Sequence, residues 1–185
     1  ATRRKACAGG MELRGRTLGI VGFGRIGQAL AKLAIGAGME VVFSDMHNDN
    51  IDVALEFFDG QSLSFTCKNV GLEGVLAQSD FISLHVPGGD LIGAAEIAKM
   101  KDGVFLLNAA RGGVVNEEAL LDALESGKVA GAGLDVFKNE PTPAVKVLMN
   151  GKVSLTPHIG AATGEAQDRI GTELAAHIDS LAASL

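Results

Sequence analysis

The sequence predicts an α/β fold: a doubly wound sheet of parallel strands with helices on both faces. Three observations predict it. Short apolar runs recur at residues 18–21, 41–43, 81–84, 104–107, 129–134 and 153–155, and none alternates strictly with polar residues, which is how strands buried on both faces read. Segments with helical spacing lie between and after them, at 26–35, 72–77, 94–100, 117–125 and 165–181, and strands alternating with helices call for right-handed crossovers in one parallel sheet. Twenty-five glycines against four prolines, with no low-complexity run, fit many tight turns between regular elements.

Taken in order, the run at 18–21 stops at Gly22 and feeds the helix at 26–35, while the run at 41–43 closes on Asp45. The stretch from 46 to 70 is less regular; 51–58 reads as helical and 63–67 as a further strand. The helices at 72–77 and 94–100 lead into the runs at 81–84 and 104–107. The helix at 117–125 has the clearest ends, with Asn116 as N-cap, Glu117 and Glu118 in its first turn and Gly127 just past its last. The runs at 129–134 and 153–155 follow, and the helix at 165–181 closes the chain. No internal repeat and no Pro- or Ser-rich linker interrupts this order, so a single domain is expected over residues 1–185.

Composition narrows the function. A net charge of −6 and a pI near 5.2 argue against a nucleic-acid partner, because such proteins concentrate Lys and Arg to displace counterions. The basic cluster Arg3, Arg4 and Lys5 reads as a solvated terminus. Cys7 and Cys67 stand far apart without metal-ligand spacing, so no disulfide framework and no metal site is expected, and a reducing cytoplasm fits. No apolar stretch approaches ~18 residues and no signal-peptide core is present, which leaves no membrane partner.

Gly22, Gly24 and Gly27 form G-x-G-x-x-G directly after a strand run and before a helical one. The first glycine permits a tight turn, the second lets the backbone approach a pyrophosphate, and the third allows close helix–strand packing. The helix N-terminus then offers free N–H groups to the phosphates. Asp45 follows Gly27 by 18 residues and ends the next strand run, where a carboxylate accepts from ribose hydroxyls and repels a 2′-phosphate. The doubly wound sheet is therefore expected to be of Rossmann type, with NAD preferred over NADP.

Three later segments, LLNAARGG at 106–113, GLDVFKNEP at 133–141 and LTPHIGAAT at 155–163, each hold a polar group just beyond a strand run. In an open parallel sheet the crevice past the strands' carboxyl ends binds ligands, so Arg111, Glu140 and His158 are expected to converge there. Oxidising an alcohol on nicotinamide requires a base for the hydroxyl proton and a cation for the substrate's carboxylate or carbonyl. His158 suits the first role and the planar fork of Arg111 the second, while Glu140 would orient the imidazole. Taken singly, each is equally an ordinary loop histidine, a solvated acid or half of a surface ion pair. His47 and His177 read as solvent-facing or structural.

The series VGFGRIG, Asp45, HVP at 85–87, NAARGG at 108–113, LDVF..EP at 134–141 and TPHIGAAT at 156–163 resembles the D-isomer-specific 2-hydroxyacid dehydrogenases, and within them the phosphoglycerate type. The likeness spans about residues 10 to 175, and it implies Arg111, Glu140 and His158 as the catalytic three. It further implies that the amides of Arg25 and Ile26 meet the pyrophosphate, that Asp45 meets the adenosine ribose, and that His85, Val86 and Pro87 wall the adenosine pocket. Ala109 and Arg111 would lie on the nicotinamide ribose side, and Asp135 and Gly160 would face the carboxamide. The implied reaction is hydride transfer between a small-molecule D-2-hydroxy acid, 3-phosphoglycerate first among them, and NAD; glyoxylate or hydroxypyruvate reduction, and a non-catalytic NAD(H)-binding module, are the alternatives.

Family members usually carry a substrate-covering domain made of a long segment before the nucleotide domain and a short one after it. Here residues 1–12 are expected to be a residual connecting segment and the covering domain to be largely absent, which would weaken turnover. The resemblance also implies a homodimer through the cofactor domain, with apolar surface near the first fifteen residues or at 89–97 covered by the partner.

Overall fold

The computed structural model describes residues 10–47 and 49–184. Arg3, Arg4, Lys5 and Cys7, with most of the 1–12 segment, lie outside the described residues. Eight strands form the sheet: β1 (Thr17–Val21), β2 (Glu40–Ser44), β3 (Ile51–Glu56), β4 (Ser62–Asn69), β5 (Phe81–Leu84), β6 (Val104–Asn108), β7 (Val129–Leu134) and β8 (Val153–Leu155). Their order is β3-β4-β2-β1-β5-β6-β7-β8, and every pairing is parallel except that of β3 with β4. The chain works outward from β1 and then returns to β5 on the other side of β1. This reversal of strand order puts the topological switch point between β1 and β5.

The helices are α1 (Arg25–Gly36), α2 (Gly71–Gln78), α3 (Ala94–Lys99), α4 (Glu117–Ser126), the single turn α5 (Val145–Leu148) and α6 (Gly164–Ala183). They divide the core in two. Ala31 and Ala34 of α1 pack with Leu18, Ile20, Val41, Phe43 and Val53 on one face of β1–β3. The larger cluster, on the opposite face, joins Val75, Leu76, Ile97, Leu120, Leu124 and Val147 of α2–α5 to Ile82, Leu84, Leu106 and Leu134. The expected ends of α4 are present: Asn116 accepts a hydrogen bond from the Ala119 amide at 3.0 Å, and Gly127 stands at φ 82°.

One expectation changes. Residues 51–58 form no helix: Ile51–Glu56 is an edge strand, paired antiparallel with β4 through a turn at Asp59-Gly60, where Gly60 takes φ 84°. The pairing sets Ile51, Val53 and Leu55 opposite Cys67, Phe65 and Leu63, and Asp52 opposite Thr66. One face of the hairpin is thus apolar and the other polar. In the 89–97 segment Ile92 and Ile97 are buried in the chain's own core, Leu91 is half-buried, and Ala94 and Ala95 are exposed. Helix α6 buries no residue; Ile170, Leu174, Ile178 and Leu181 form an exposed stripe along it. No helix among the described residues is long and apolar enough to cross a membrane.

Candidate active site

The register brings the candidate residues to one edge. Ser44, Val21, Leu84, Asn108, Leu134 and Leu155 form a single row across β2, β1, β5, β6, β7 and β8. The next residues, Asp45, Gly22, His85, Ala109, Asp135 and Thr156, therefore leave the sheet side by side, and strands about 4.8 Å apart put roughly 14 Å between the ends of β2 and β6.

The glycine turn has a separate reason for each glycine. Gly22 takes φ 91°, and a Cβ there would lie 2.5 Å from the His85 carbonyl oxygen. A Cβ on Gly27 would lie 2.4 Å from the Gly22 oxygen, so α1 rests directly on the turn. A Cβ on Gly24 would meet nothing within 4 Å. The second glycine is therefore not required by packing within the chain; it faces open space at the start of α1. The first backbone bond of α1 runs from the Gln28 amide to the Gly24 carbonyl, which leaves the amides of Arg25, Ile26 and Gly27 ahead of the ladder. Phe23 anchors the turn by stacking on Phe43 with ring centroids 3.9 Å apart, and its amide donates to Asp45 Oδ2 at 2.6 Å. Open backbone at a helix N-terminus, with a strand-end carboxylate held beside it, fits a dinucleotide diphosphate and its ribose.

At β5, His85 is half-buried, and its Nε2 lies 3.0 Å from Ser83 Oγ. Burial pushes the His85 imidazole below the usual histidine range. Val86 is half-buried and Pro87 exposed.

Beyond β6, buried Asn108 shapes the loop that carries Arg111. Its Oδ1 accepts from the Ala110 amide at 3.1 Å and its Nδ2 donates to the Arg111 carbonyl at 3.0 Å. The exposed guanidinium of Arg111 donates to the Ala110 carbonyl at 2.7 Å and has no bond to Glu140 or His158. Gly112 is pressed on the neighbouring loop, where a Cβ would fall 1.8 Å from the Phe137 carbonyl oxygen.

The loops after β7 and β8 close on each other through two carboxylates. Asp135, 8% exposed, accepts from Thr156 Oγ1 at 2.6 Å and from the amides of Ile159 and Gly160 at 2.9 and 3.0 Å. Burial pushes the Asp135 carboxyl up, but these donors, helped by the nearby His158, hold it below the usual carboxylate range. Asp135 and Gly160, both expected at the carboxamide, are thus bonded to each other. Glu140 accepts from the Phe137 amide at 2.8 Å, and its other oxygen lies 2.7 Å from His158 Nδ1. The His158 hydrogen bond, then that from Phe137, lowers the Glu140 carboxyl. With Nδ1 engaged, Nε2 of a neutral ring carries the free lone pair. His158 has φ 55°, the one left-handed non-glycine among the described residues, a conformation that collects at sites where backbone strain is tolerated. An apolar cleft of about 460 Å³ adjoins the pair, walled by Phe137, Pro141, Pro143, Leu148 and Leu155.

Replacing Asp135 with Asn is expected to cost about 2 kcal/mol, because one buried acceptor oxygen and two donors of its own replace a carboxylate that takes three hydrogen bonds. An Asp held below its unfolded value stabilises the fold above the ordinary carboxylate range, and that contribution is lost as pH falls through the lowered value. The melting-temperature gap between wild type and Asp135→Asn should therefore be largest near pH 7 and shrink toward pH 3.

Sequence reasoning assigned no part to Ser83, Asn108 or Thr156. The signal for the last two was a polar residue at or just after the end of an apolar strand run, the position of a loop-shaping hydrogen bond. Among the described residues, no group of three or more His, Cys, Asp or Glu side chains is placed to hold a metal ion.

Comparison with known proteins adds to this geometry. The family described as D-isomer specific 2-hydroxyacid dehydrogenase, NAD binding domain, matches residues 2–160. A hydroxypyruvate reductase of Thermotoga maritima is 46% identical over 172 residues, covering 89% of this chain and 52% of the relative. A D-3-phosphoglycerate dehydrogenase of Mycobacterium tuberculosis is 40% identical over 178 residues, covering 94% of this chain and 32% of the relative. The crystal structure of a D-lactate dehydrogenase from Aquifex aeolicus, complexed with NAD and lactic acid, superposes with a TM-score of 0.73 at 33% identity, covering 94% of this chain and 53% of that one. The chain thus spans about half the length of the reductase and a third of the phosphoglycerate dehydrogenase.

Proposed function

Because the chain belongs to the D-isomer-specific 2-hydroxyacid dehydrogenases through their NAD-binding domain, we propose that it moves a hydride between C2 of a D-2-hydroxy acid and NAD, using Arg111, Glu140 and His158. When bound, the nicotinamide supplies the hydride acceptor or donor. The chain's own residues do the rest. The amides of Arg25 and Ile26, beside Gly22, Gly24 and Gly27, hold the diphosphate; Asp45 takes the adenosine ribose hydroxyls; His85, Val86 and Pro87 wall the adenosine. Ala109 and Arg111 flank the nicotinamide ribose, and Asp135 and Gly160 its carboxamide. Arg111 turns its fork to the substrate carboxylate. His158 Nε2 takes the hydroxyl proton in oxidation and returns it in reduction, while Glu140 fixes the ring and stabilises its charged form.

One observation carries this reading: the 2.7 Å contact of His158 Nδ1 with Glu140, which leaves Nε2 available at the same sheet edge as the glycine turn. A protein that only bound dinucleotide would have no use for a base so supported. The unit proposed is a single cofactor domain over 1–185, with 1–12 as a connecting segment, cytoplasmic and paired as a homodimer.

We take the acid to be 3-phosphoglycerate, oxidised to 3-phosphohydroxypyruvate on the way to serine. A second reading, reduction of hydroxypyruvate or glyoxylate, is favoured by the 46% identity to a hydroxypyruvate reductase. Following NADH absorbance with the three keto acids in turn decides between them. The first reading expects the highest kcat/KM with 3-phosphohydroxypyruvate, and a preference for either other acid overturns it in favour of the second. NADH binding with no turnover of any of them contradicts both.

A further inference from the structure

Arg25 has two claims on it. Its backbone opens α1 at the glycine turn, and its guanidinium Nη1 lies 2.7 Å from Glu173 Oε2, 148 residues away on α6. Both side chains are exposed, at 87% and 61%. Among the described residues, this is the one side-chain hydrogen bond from α6 to a residue more than six positions away. Since α6 buries nothing, the pair is its main tie to the cofactor turn.

We infer that Glu173 is an internal competitor of the dinucleotide for Arg25, and thereby sets the affinity for cofactor. The diphosphate belongs at the N-terminus of α1, next to the residue whose guanidinium Glu173 now holds. An ion pair between exposed side chains is weak, because water screens it and two long side chains must be held in one geometry. A diphosphate offers more negative charge and several acceptor oxygens matched to the guanidinium fork, and it is positioned by backbone amides besides. Exchange of one partner for the other is therefore downhill. Glu173 is not stranded afterwards, since Arg169, one turn earlier on α6, already adds to the field that keeps its carboxyl charged. Cofactor binding would thus untie α6 from α1. Each dinucleotide bound must displace the resident carboxylate, and that displacement lowers the observed affinity.

The test is a double-mutant cycle on the full chain, with the Kd for NADH measured by calorimetry. Binding by the wild type reports on the glycine turn by itself, whatever Glu173 does. Glu173→Gln is expected to tighten NADH about two- to fivefold, the range set by an exposed ion pair. Arg25→Gln is expected to weaken it about tenfold, through loss of a charge-assisted hydrogen bond. The double variant should then match Arg25→Gln, because with no guanidinium to contest, removing the competitor gains nothing. An unchanged or weaker affinity in Glu173→Gln overturns the inference. An equal gain from Glu173→Gln in the Arg25→Gln background also overturns it, because the effect would then be a general field of the acid rather than competition for Arg25.

Discussion

Replacing His158 with Asn is expected to lower turnover about 10³-fold in the NADH assay, with a far smaller change in NADH affinity. General acid–base groups supply factors of about 10² to 10⁴, and His158 has one ring nitrogen set by Glu140, which leaves Nε2 for the proposed substrate. Its orientation rests on Glu140, held in turn by the Phe137 amide at 2.8 Å. An asparagine can meet Glu140 with its amide but offers no basic nitrogen on the other side. Steady-state kinetics give kcat, and calorimetry gives Kd. A weakened Kd with kcat unchanged would mean that His158 serves binding alone.

Gly112→Ala is expected to be the most destabilising single methyl addition around the site. The new Cβ would sit 1.8 Å from the Phe137 carbonyl oxygen, and that obstacle is backbone, with no rotamer to move aside. One loop must shift, at a cost of about 3 kcal/mol, which for a domain of this size lowers the melting temperature by about 10 °C. The consequence extends to chemistry. Gly112 follows Arg111, and Phe137 supplies the amide that fixes Glu140, so separating these loops moves Arg111 away from the Glu140–His158 pair, the proposed base. Calorimetric melting together with kcat would show both losses. Gly24→Ala is the contrasting case, since its Cβ meets nothing within 4 Å and it should melt close to wild type.

Much of this arrangement is legible in the sequence. Strands β1, β2 and β5–β8 are continuous apolar runs, although helices pack on both faces only around β1 and β2, and Leu107 of β6 is 38% exposed on the face opposite α2–α5. The Asn116 and Gly127 ends of α4 rest on local backbone chemistry, which the sequence carries directly. The hairpin at 51–69 did not come through. Ala54, Leu55 and Glu56 favour a helix, and pairing with β4 overrides that preference. The signal was present in the alternation of Ile51, Val53 and Leu55 ahead of Asp59-Gly60, a dipeptide typical of tight strand turns.

The site divides the same way. Glycines at fixed offsets report close backbone approach, and Gly22 and Gly27 meet the carbonyls their motif implies. Nothing local in the sequence joins Asp135 to Gly160, or Arg25 to Glu173, because those contacts depend on the register of β7 with β8 and on where α6 comes to lie.

The most direct measurement is a crystal structure with NADH bound. The diphosphate is expected on the amides of Arg25 and Ile26, with the nicotinamide ring between the Arg111 loop and His158 and its reactive carbon facing Nε2. A dinucleotide seated elsewhere, or a ring turned away from His158, would contradict the claim that one sheet edge brings the cofactor to the base.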